Sequence, residues 1–234
     1  MKVKYKNDIA VIGTGRFGSA VIEQLIKLEK NILVIDKSED DVRNYADEVQ
    51  KVVIADAADM KALKAIRLDQ METVVVAVSD NIEIVAALLE LNVKNIIARA
   101  KTERHARVLK QIGVNVIIRP EYESGTRAAL IAANKNFIDF SEKLYELEPN
   151  FVIGTTTLKN IHLVDKPIRD LKLNERGINV VLIKRDNVPH MASANGVLKL
   201  EDNLTIFGNV ADVTSALEWF NEINEETDEI VIEE

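Results

Sequence analysis

Ile9-Ala10-Val11-Ile12-Gly13-Thr14-Gly15-Arg16-Phe17-Gly18 decides the fold. Four apolar residues enter a G-x-G-x-x-G loop, and an amphipathic stretch follows. A continuous apolar run of this kind is how a strand buried on both faces of a parallel sheet reads. The glycines suit the turn after it: Gly13 for the tight reversal, Gly15 for close backbone approach to a pyrophosphate, Gly18 for packing of the helix on the strand. The helix then aims free N–H groups and the positive end of its dipole at phosphate. The next apolar run, Asn31-Ile32-Leu33-Val34-Ile35, ends in Asp36, 21 residues beyond Gly15, where a carboxylate meets a ribose hydroxyl. The combination predicts nucleotide binding, against the plainer reading of a glycine-bearing turn followed by an incidental Asp.

Working outward, strands and helices alternate. Glu39 to Val49 reads as a helix with Ser38 as its N-cap. Lys51 to Ala55 reads as a strand running into Asp56, and Asp59 to Leu68 as a short helix. Thr73 to Val78 is the most β-branched run and is expected at the centre of the sheet. Asn81 to Leu91 reads as a helix, Asn95 to Arg99 as a strand, and Glu103 to Ile112 as a helix capped by Gly113. Asn115 to Ile118 gives a sixth strand. This is the pattern of a doubly wound parallel α/β sheet, a Rossmann-like domain over residues 1–122.

Residues 123–148 are expected to form a crossover helix and linker, helical from Glu123 to Leu144. Ala128, Ala129, Ala132 and Ala133 give that helix a small-residue surface, suited either to a dimer seam or to packing on its own sheet. Glu148-Pro149-Asn150 reads as a boundary. A small α+β module follows over 149–224, with strands at Phe151–Leu158, Ile178–Lys184 and Leu204–Gly208. A helix is expected to start at Pro167 and end at Gly177, Arg185-Asp186-Asn187 to turn, and Ala211–Asn221 to form the final helix. A module of this size has little core of its own, so homodimerisation is expected. Residues 225–234 hold six carboxylates and read as an acidic tail.

The chain has 234 residues, 47% of them apolar, no cysteine and a net charge of −8. Without cysteine there is no thiol catalysis, disulfide or Cys-ligated metal. Residues 150–234 hold eight Lys/Arg against fifteen Asp/Glu, whereas 1–149 are nearly balanced. Neither part has the basic excess of a nucleic-acid binder. No apolar stretch reaches the roughly 18 residues a membrane span needs, and the basic Met1–Lys6 start leads into too short an apolar run for a signal peptide. A cytoplasmic protein without direct membrane insertion is the expectation.

Gly-x-Gly-Arg-Phe-Gly with Asp36, Asp56 and the Pro120-Glu121 pair resembles the regulatory RCK/KTN (TrkA-N) domain of potassium channels and transporters. Ile168-Arg169-Asp170-Leu171-Lys172-Leu173, Gly177, Val180, Ile183 and Arg185, then Leu204-Thr205-Ile206-Phe207-Gly208, resemble its C-terminal (TrkA-C) module. The resemblance implies the cytosolic gating subunit of a Ktr/Trk-type uptake system. It implies ATP and ADP as ligands, homodimers assembling into a ring (an octamer), and a separate integral membrane subunit that translocates potassium. Arg16 would reach the terminal phosphate, which a guanidinium suits. Asp36, with Lys37 and Ser38 beside it, would hold the ribose, and Asp56 and Ala57 would lie by the adenine. Thr14, Phe17, Val78, Ser79 and Arg99 would complete the nucleotide site. Glu121 would lie near the phosphates and help hold a divalent or sodium cation, with phosphate oxygens or a second subunit completing its shell. The C-terminal module would bind cyclic di-AMP through Ile168, Arg169, Asp170, Leu171, Asn179 and Val180. Where relatives carry a proline near Ser193, this chain has Pro189 and His190 a few residues earlier.

The other class of reading is an enzyme, an NAD-dependent oxidoreductase on the same loop, since Asp36 suits NAD(H) as well as an adenosine ribose. Hydride transfer wants a positioned proton donor. The second module offers only His162 and Lys166. His105 is expected to be exposed beside Arg104 and Arg107, Trp219 and Phe220 to anchor the last helix, and Thr155, Thr156 and Thr157 to lie in a strand. A ligand-sensing regulator without catalysis is the reading preferred.

Overall fold

The parallel sheet starts where the first apolar run does. A computed structural model describes residues 8–141 and 143–223, so Met1–Lys6 and the acidic 225–234 tail lie outside the described residues. The chain divides into two units, one ending at Glu123 and the other beginning at Ser124. The strands of the first unit are β1 (Asp8–Ile12), β2 (Asn31–Asp36), β3 (Lys51–Ile54), β4 (Thr73–Val76), β5 (Ile96–Arg99) and β6 (Val116–Ile118). They form one parallel sheet in the order β3-β2-β1-β4-β5-β6. Between them run α1 (Arg16–Lys27), α2 (Glu39–Arg43), α3 (Met60–Ala65), α4 (Ile82–Glu90) and α5 (Glu103–Ile112). Ala10, Ile12, Leu33, Ile35, Val74 and Val76 enter one core, while their neighbours Val11, Ile32, Val34, Val75 and Ala77 enter a second. Successive residues of a strand point to opposite faces, so both faces are covered and the apolar runs are continuous. The order reverses between β1 and β4, and ligands of such sheets bind outside the strand C-termini at that switch point.

Two helices are shorter than expected. α2 ends at Arg43, and the chain then tightens, with Ala46 N–H bonding to the Arg43 carbonyl and Glu48 N–H to that of Tyr45. Asn44 and Asp47 favour such turns over helix. α3 stops at Ala65 because Arg67 adopts a left-handed backbone, φ 58°.

The second unit begins within α6 (Pro120–Ala132) and continues through α7 (Lys135–Phe140), β7 (Lys143–Glu148), β8 (Phe151–Thr157), β9 (Ile178–Arg185), β10 (Val188–Met191), β11 (Asn203–Asn209) and α8 (Val210–Asn221). Its sheet is antiparallel in the order β10-β9-β11-β8-β7. The expected continuous helix over Glu123–Leu144 is therefore corrected. Asn134 interrupts it by accepting the Asn136 N–H and capping a new helix, and residues 143–148 pair with β8. Leu144 is buried opposite Gly154 in the pairing with β8, and that packing outweighs local helix preference. Pro149-Asn150 is a hairpin turn, with Asn150 at φ 69°, and not a domain boundary. The expected helix from Pro167 to Gly177 is two 3-10 turns, Ile168–Leu171 and Leu173–Arg176, split by left-handed Lys172. The Asp186-Asn187 turn has φ 49° and 65°, the geometry that suits a two-residue hairpin, and it delivers β10, which sequence reading left out.

One core lies beneath this sheet. Val152 and Leu204, Ile206 and Phe220 enter it, and α8 covers it from a cap in which Asn209 accepts the Asp212 N–H. Phe220 is buried as an anchor, while Trp219 stacks under the Arg176 guanidinium. Thr155, Thr157 and Thr205 point away from that core into a shallow polar hollow. Among the described residues no helix is long and apolar enough to cross a membrane.

Candidate functional site

The G-x-G-x-x-G loop is built around two steric facts. Gly13 has φ +97°, and a Cβ there would lie 2.5 Å from Val78 Cγ1. A Cβ on Gly18 would lie 1.9 Å from the Gly13 carbonyl oxygen, so only glycine lets α1 close onto the turn. Gly15 differs: a Cβ there would meet nothing within 4 Å. It is the N-cap of α1 and has no side chain to satisfy the first N–H groups. Open space beside uncapped amides at a helix N-terminus is what a pyrophosphate needs. Arg16 is exposed there and has no hydrogen-bond or ion-pair partner among the described residues. Phe17 packs into the core under α1 and does not face the loop's open side.

Asp36 is joined to this loop. Thr14 donates both its N–H and its hydroxyl to Asp36 Oδ2, each at 2.7 Å, and Ser38 N–H donates to Oδ1 at 3.0 Å. Burial alone would raise the Asp36 pKa, but the donors on Ser38 and Thr14 outweigh it and hold the carboxyl below its ordinary value. The carboxylate is only half-buried and lines the cleft.

A cleft of about 530 Å³ opens beyond the C-termini of β1, β2 and β4, lined by Gly13, Asp36, Lys37, Asp56, Ala57 and Val78 among others. Asp80 and Glu83 add to its acidity. Such a lining suits an uncharged sugar and base better than a phosphate. Asp56 is exposed and accepts the Ala58 N–H at 2.9 Å in a turn. Ser79 lies between Val78 and Asp80 without lining the cleft. Arg99 and Glu121 also lie outside this lining. They form an ion pair with each other, and the Glu121 pKa is held down by its own N–H at the start of α6 and by Arg99. Among the described residues no three acidic or histidine side chains gather as a metal site, so Glu121 offers a cation one carboxylate already shared with Arg99.

In the second unit Ile168, Arg169, Asn179 and Val180 line one cleft of about 460 Å³, together with Lys172 and Ser193. Arg169 Nη1 donates to Asn195 Oδ1 at 2.8 Å, and backbone bonds from Ile168 to Gly196 and from Arg169 to Ala194 tie the 3-10 turn to that loop. Leu171 is buried in the core, and with Asp170 it faces a different cleft, where His162, Lys166, Arg176 and Trp219 meet. Pro189 and His190 lie on exposed β10.

The family models agree with this geometry. The TrkA-N domain matches residues 9–120 and the TrkA-C domain residues 157–221. Ktr system potassium uptake protein C of Bacillus subtilis (strain 168) is 32% identical over 214 residues, covering 89% of this chain and 95% of the relative. The chain belongs to the TrkA-N/TrkA-C family of Ktr potassium uptake proteins. Ktr system potassium uptake protein A of the same organism is 28% identical over 217 residues, 91% of this chain and 96% of that one. Among solved structures, the GsuK channel bound to NAD has the same fold, with a TM-score of 0.62 at 18% identity over 97% of this chain. This chain spans 41% of that channel's length.

Within the TrkA-N domain two residues that sequence reading did not assign to the site lie next to it: Asn81 adjoins Asp80 of the cleft lining, and His105 is bonded to Asn81. Asn81 is buried, and His105, expected to be exposed, is half-buried. Burial of the ring wins over its charged helix neighbours because α5 lays that turn against the loop after β4. The partners lie 24 residues apart, beyond the reach of a local pattern.

Proposed function

We propose that this chain is a nucleotide-sensing gating subunit of a potassium uptake system, acting on a separate integral membrane subunit that translocates potassium. The cleft of the TrkA-N domain carries the reading: a glycine loop with free space at Gly15, an Arg16 without a partner among the described residues, and an Asp36 carboxylate in the cleft wall. The names of the Ktr relatives, which match across nearly their full length, support the transport role. ATP and ADP are the proposed ligands, with Arg16 on the terminal phosphate. They switch the protein only by binding two dimer geometries unequally. A ring of dimers, an octamer, is the proposed assembly, held on the cytoplasmic side by its membrane partner. A cation at Glu121 would take its other ligands from phosphate oxygens or a second subunit. Cyclic di-AMP is the proposed ligand of the cleft formed by Ile168, Arg169, Asn179 and Val180. We read the chain as a regulator and not an enzyme.

Thermal unfolding with ATP, ADP and NAD tests the ligand. A rise in the first unit's midpoint with ATP or ADP is expected, and no response to any of the three defeats the nucleotide reading. Affinity purification from the native membrane tests the role, with an integral membrane transport protein expected to co-purify.

A further inference from the structure

The ends of β4 and β5 are joined by a side chain as well as by the sheet. Asn81 Nδ2 donates to the Val78 carbonyl at 3.0 Å and to the Arg99 carbonyl at 2.8 Å. Both amide protons are then used, and Asn81 Oδ1 can only accept. His105 Nε2 on α5 lies 3.0 Å from that oxygen. The other ring nitrogen, Nδ1, receives the Lys101 N–H at 3.3 Å. With Nε2 donating and Nδ1 accepting, the ring is the neutral Nε2–H tautomer, assigned from its partners. A second proton would sit on Nδ1 and face the Lys101 N–H, donor against donor.

The surroundings oppose that proton. Burial pushes the His105 pKa down, the Lys101 charge pushes it further, and Asp80 partly offsets both. Lys101, after β5, and Asp80, after β4, are the charged groups that act on the ring. The groups held by Asn81 matter to the cleft: Val78 and Asp80 line it, and Arg99 holds Glu121.

We propose that His105 is a positioning residue for the nucleotide cleft and makes its occupancy pH-dependent. The neutral ring holds Asn81, Asn81 holds the Val78–Asp80 wall, and protonation releases that wall. This rests on the nucleotide reading above and adds a regulator to the same site. The sign follows from linkage. A nucleotide that prefers the latched wall prefers neutral His105, so acid weakens binding, and bound nucleotide lowers the His105 pKa further.

The test measures ADP affinity of the full chain by calorimetry at about pH 7.5 and about pH 5.5, for wild type and His105→Gln. Gln can donate to Asn81 and does not titrate in this range. Wild type is expected to lose about threefold more affinity on acidification than His105→Gln, the scale of one lost hydrogen bond. The comparison cancels titration of ADP's own phosphates. A second measurement needs no variant: the NMR titration of His105, one of three histidines, with and without ADP. A lower His105 pKa with ADP supports the proposal, and an unchanged one overturns it. Parallel acid responses of wild type and His105→Gln also overturn it. No ADP binding at about pH 7.5 by either protein is failure of the nucleotide reading, and the proposed coupling falls with it. The latch alone is then read from thermal unfolding without ligand, where wild type loses more stability than His105→Gln as pH falls below the ordinary histidine value near 6.5.

Discussion

The two sheets of this chain bury their strands in opposite ways. In the first, β1, β2 and β4 are apolar at nearly every position, because each face meets its own layer of helices. In the second, burial alternates strictly along β8 and β11, with Val152, Thr156, Leu204 and Ile206 on the core side and Phe151, Ile153, Thr155 and Phe207 on the more open one. A sheet covered on both faces has no free surface, so a ligand can meet it only at the strand ends, where the loops are. A sheet covered once keeps a whole face for contact. The same contrast governs two well-held carboxylates. Asp36 is held by the neutral donors of Thr14 and Ser38 and is only half-buried at the cleft wall, whereas Asp202 is buried and held by Nε and Nη2 of Arg185, each at 2.7 Å, and by the Lys199 N–H.

The contrast can be broken most severely at Gly18. Gly18→Val drives a side chain into the Gly13 carbonyl and is expected to cost at least about 4 kcal/mol, enough to unfold the first unit. Calorimetry should then retain only the second unit's transition. Gly15→Ala, facing open space, should leave stability nearly unchanged and weaken ADP binding. Next comes Asp202→Ala, which strands Arg185 and the Lys199 amide and should destabilise the second unit by about 3 kcal/mol in urea titration. Leu144→Ala should cost about 2.5 kcal/mol if β7 belongs to the second core, while exposed Tyr145→Ala should cost under about 1 kcal/mol. Equal effects at these neighbours would remove β7 from the sheet. Asp36→Asn should cost about 1 kcal/mol of stability and still reduce nucleotide affinity sharply.

Acid separates the two carboxylates in the same order. Both have lowered pKa values, so each stabilises the fold above the ordinary Asp value near 3.8 and ceases to do so as pH falls through its lower folded value. Asp202→Asn should therefore flatten the acid limb of the second unit's unfolding profile, and Asp36→Asn that of the first.

Much of the first unit was legible because its signals are local. The apolar run, the glycines and Asp36 lie within 28 residues and each carries a backbone requirement. The second unit was harder where a partner distant in sequence decides the outcome. Lys143–Glu148 places apolar residues at helical as well as strand spacing, and only the pairing with β8 across the hairpin makes Leu144 a strand residue. β10 buries none of its four residues and contains a proline, so it has no period to read. The Asp186-Asn187 turn before it was visible, and the strand it requires is the lesson of that turn. In the site, Gly13, Gly15, Gly18 and Asp36 could be read from spacing. The Asn81–His105 bond and the Arg99–Glu121 pair could not, since they join loops that only the finished sheet brings together.

The tie between Thr14 and Asp36 has a consequence in time as well as in space. Because Thr14 gives both donors to Asp36, the turn at α1 and the carboxylate at the end of β2 are one piece before any ligand arrives. Under the proposed function, a nucleotide spanning them would wait for no loop to close, so ligands that fit should associate at similar rates. Stopped-flow traces should then differ between ligands in dissociation alone. If the proposed sensing role holds, ligands are then distinguished by how long each one stays.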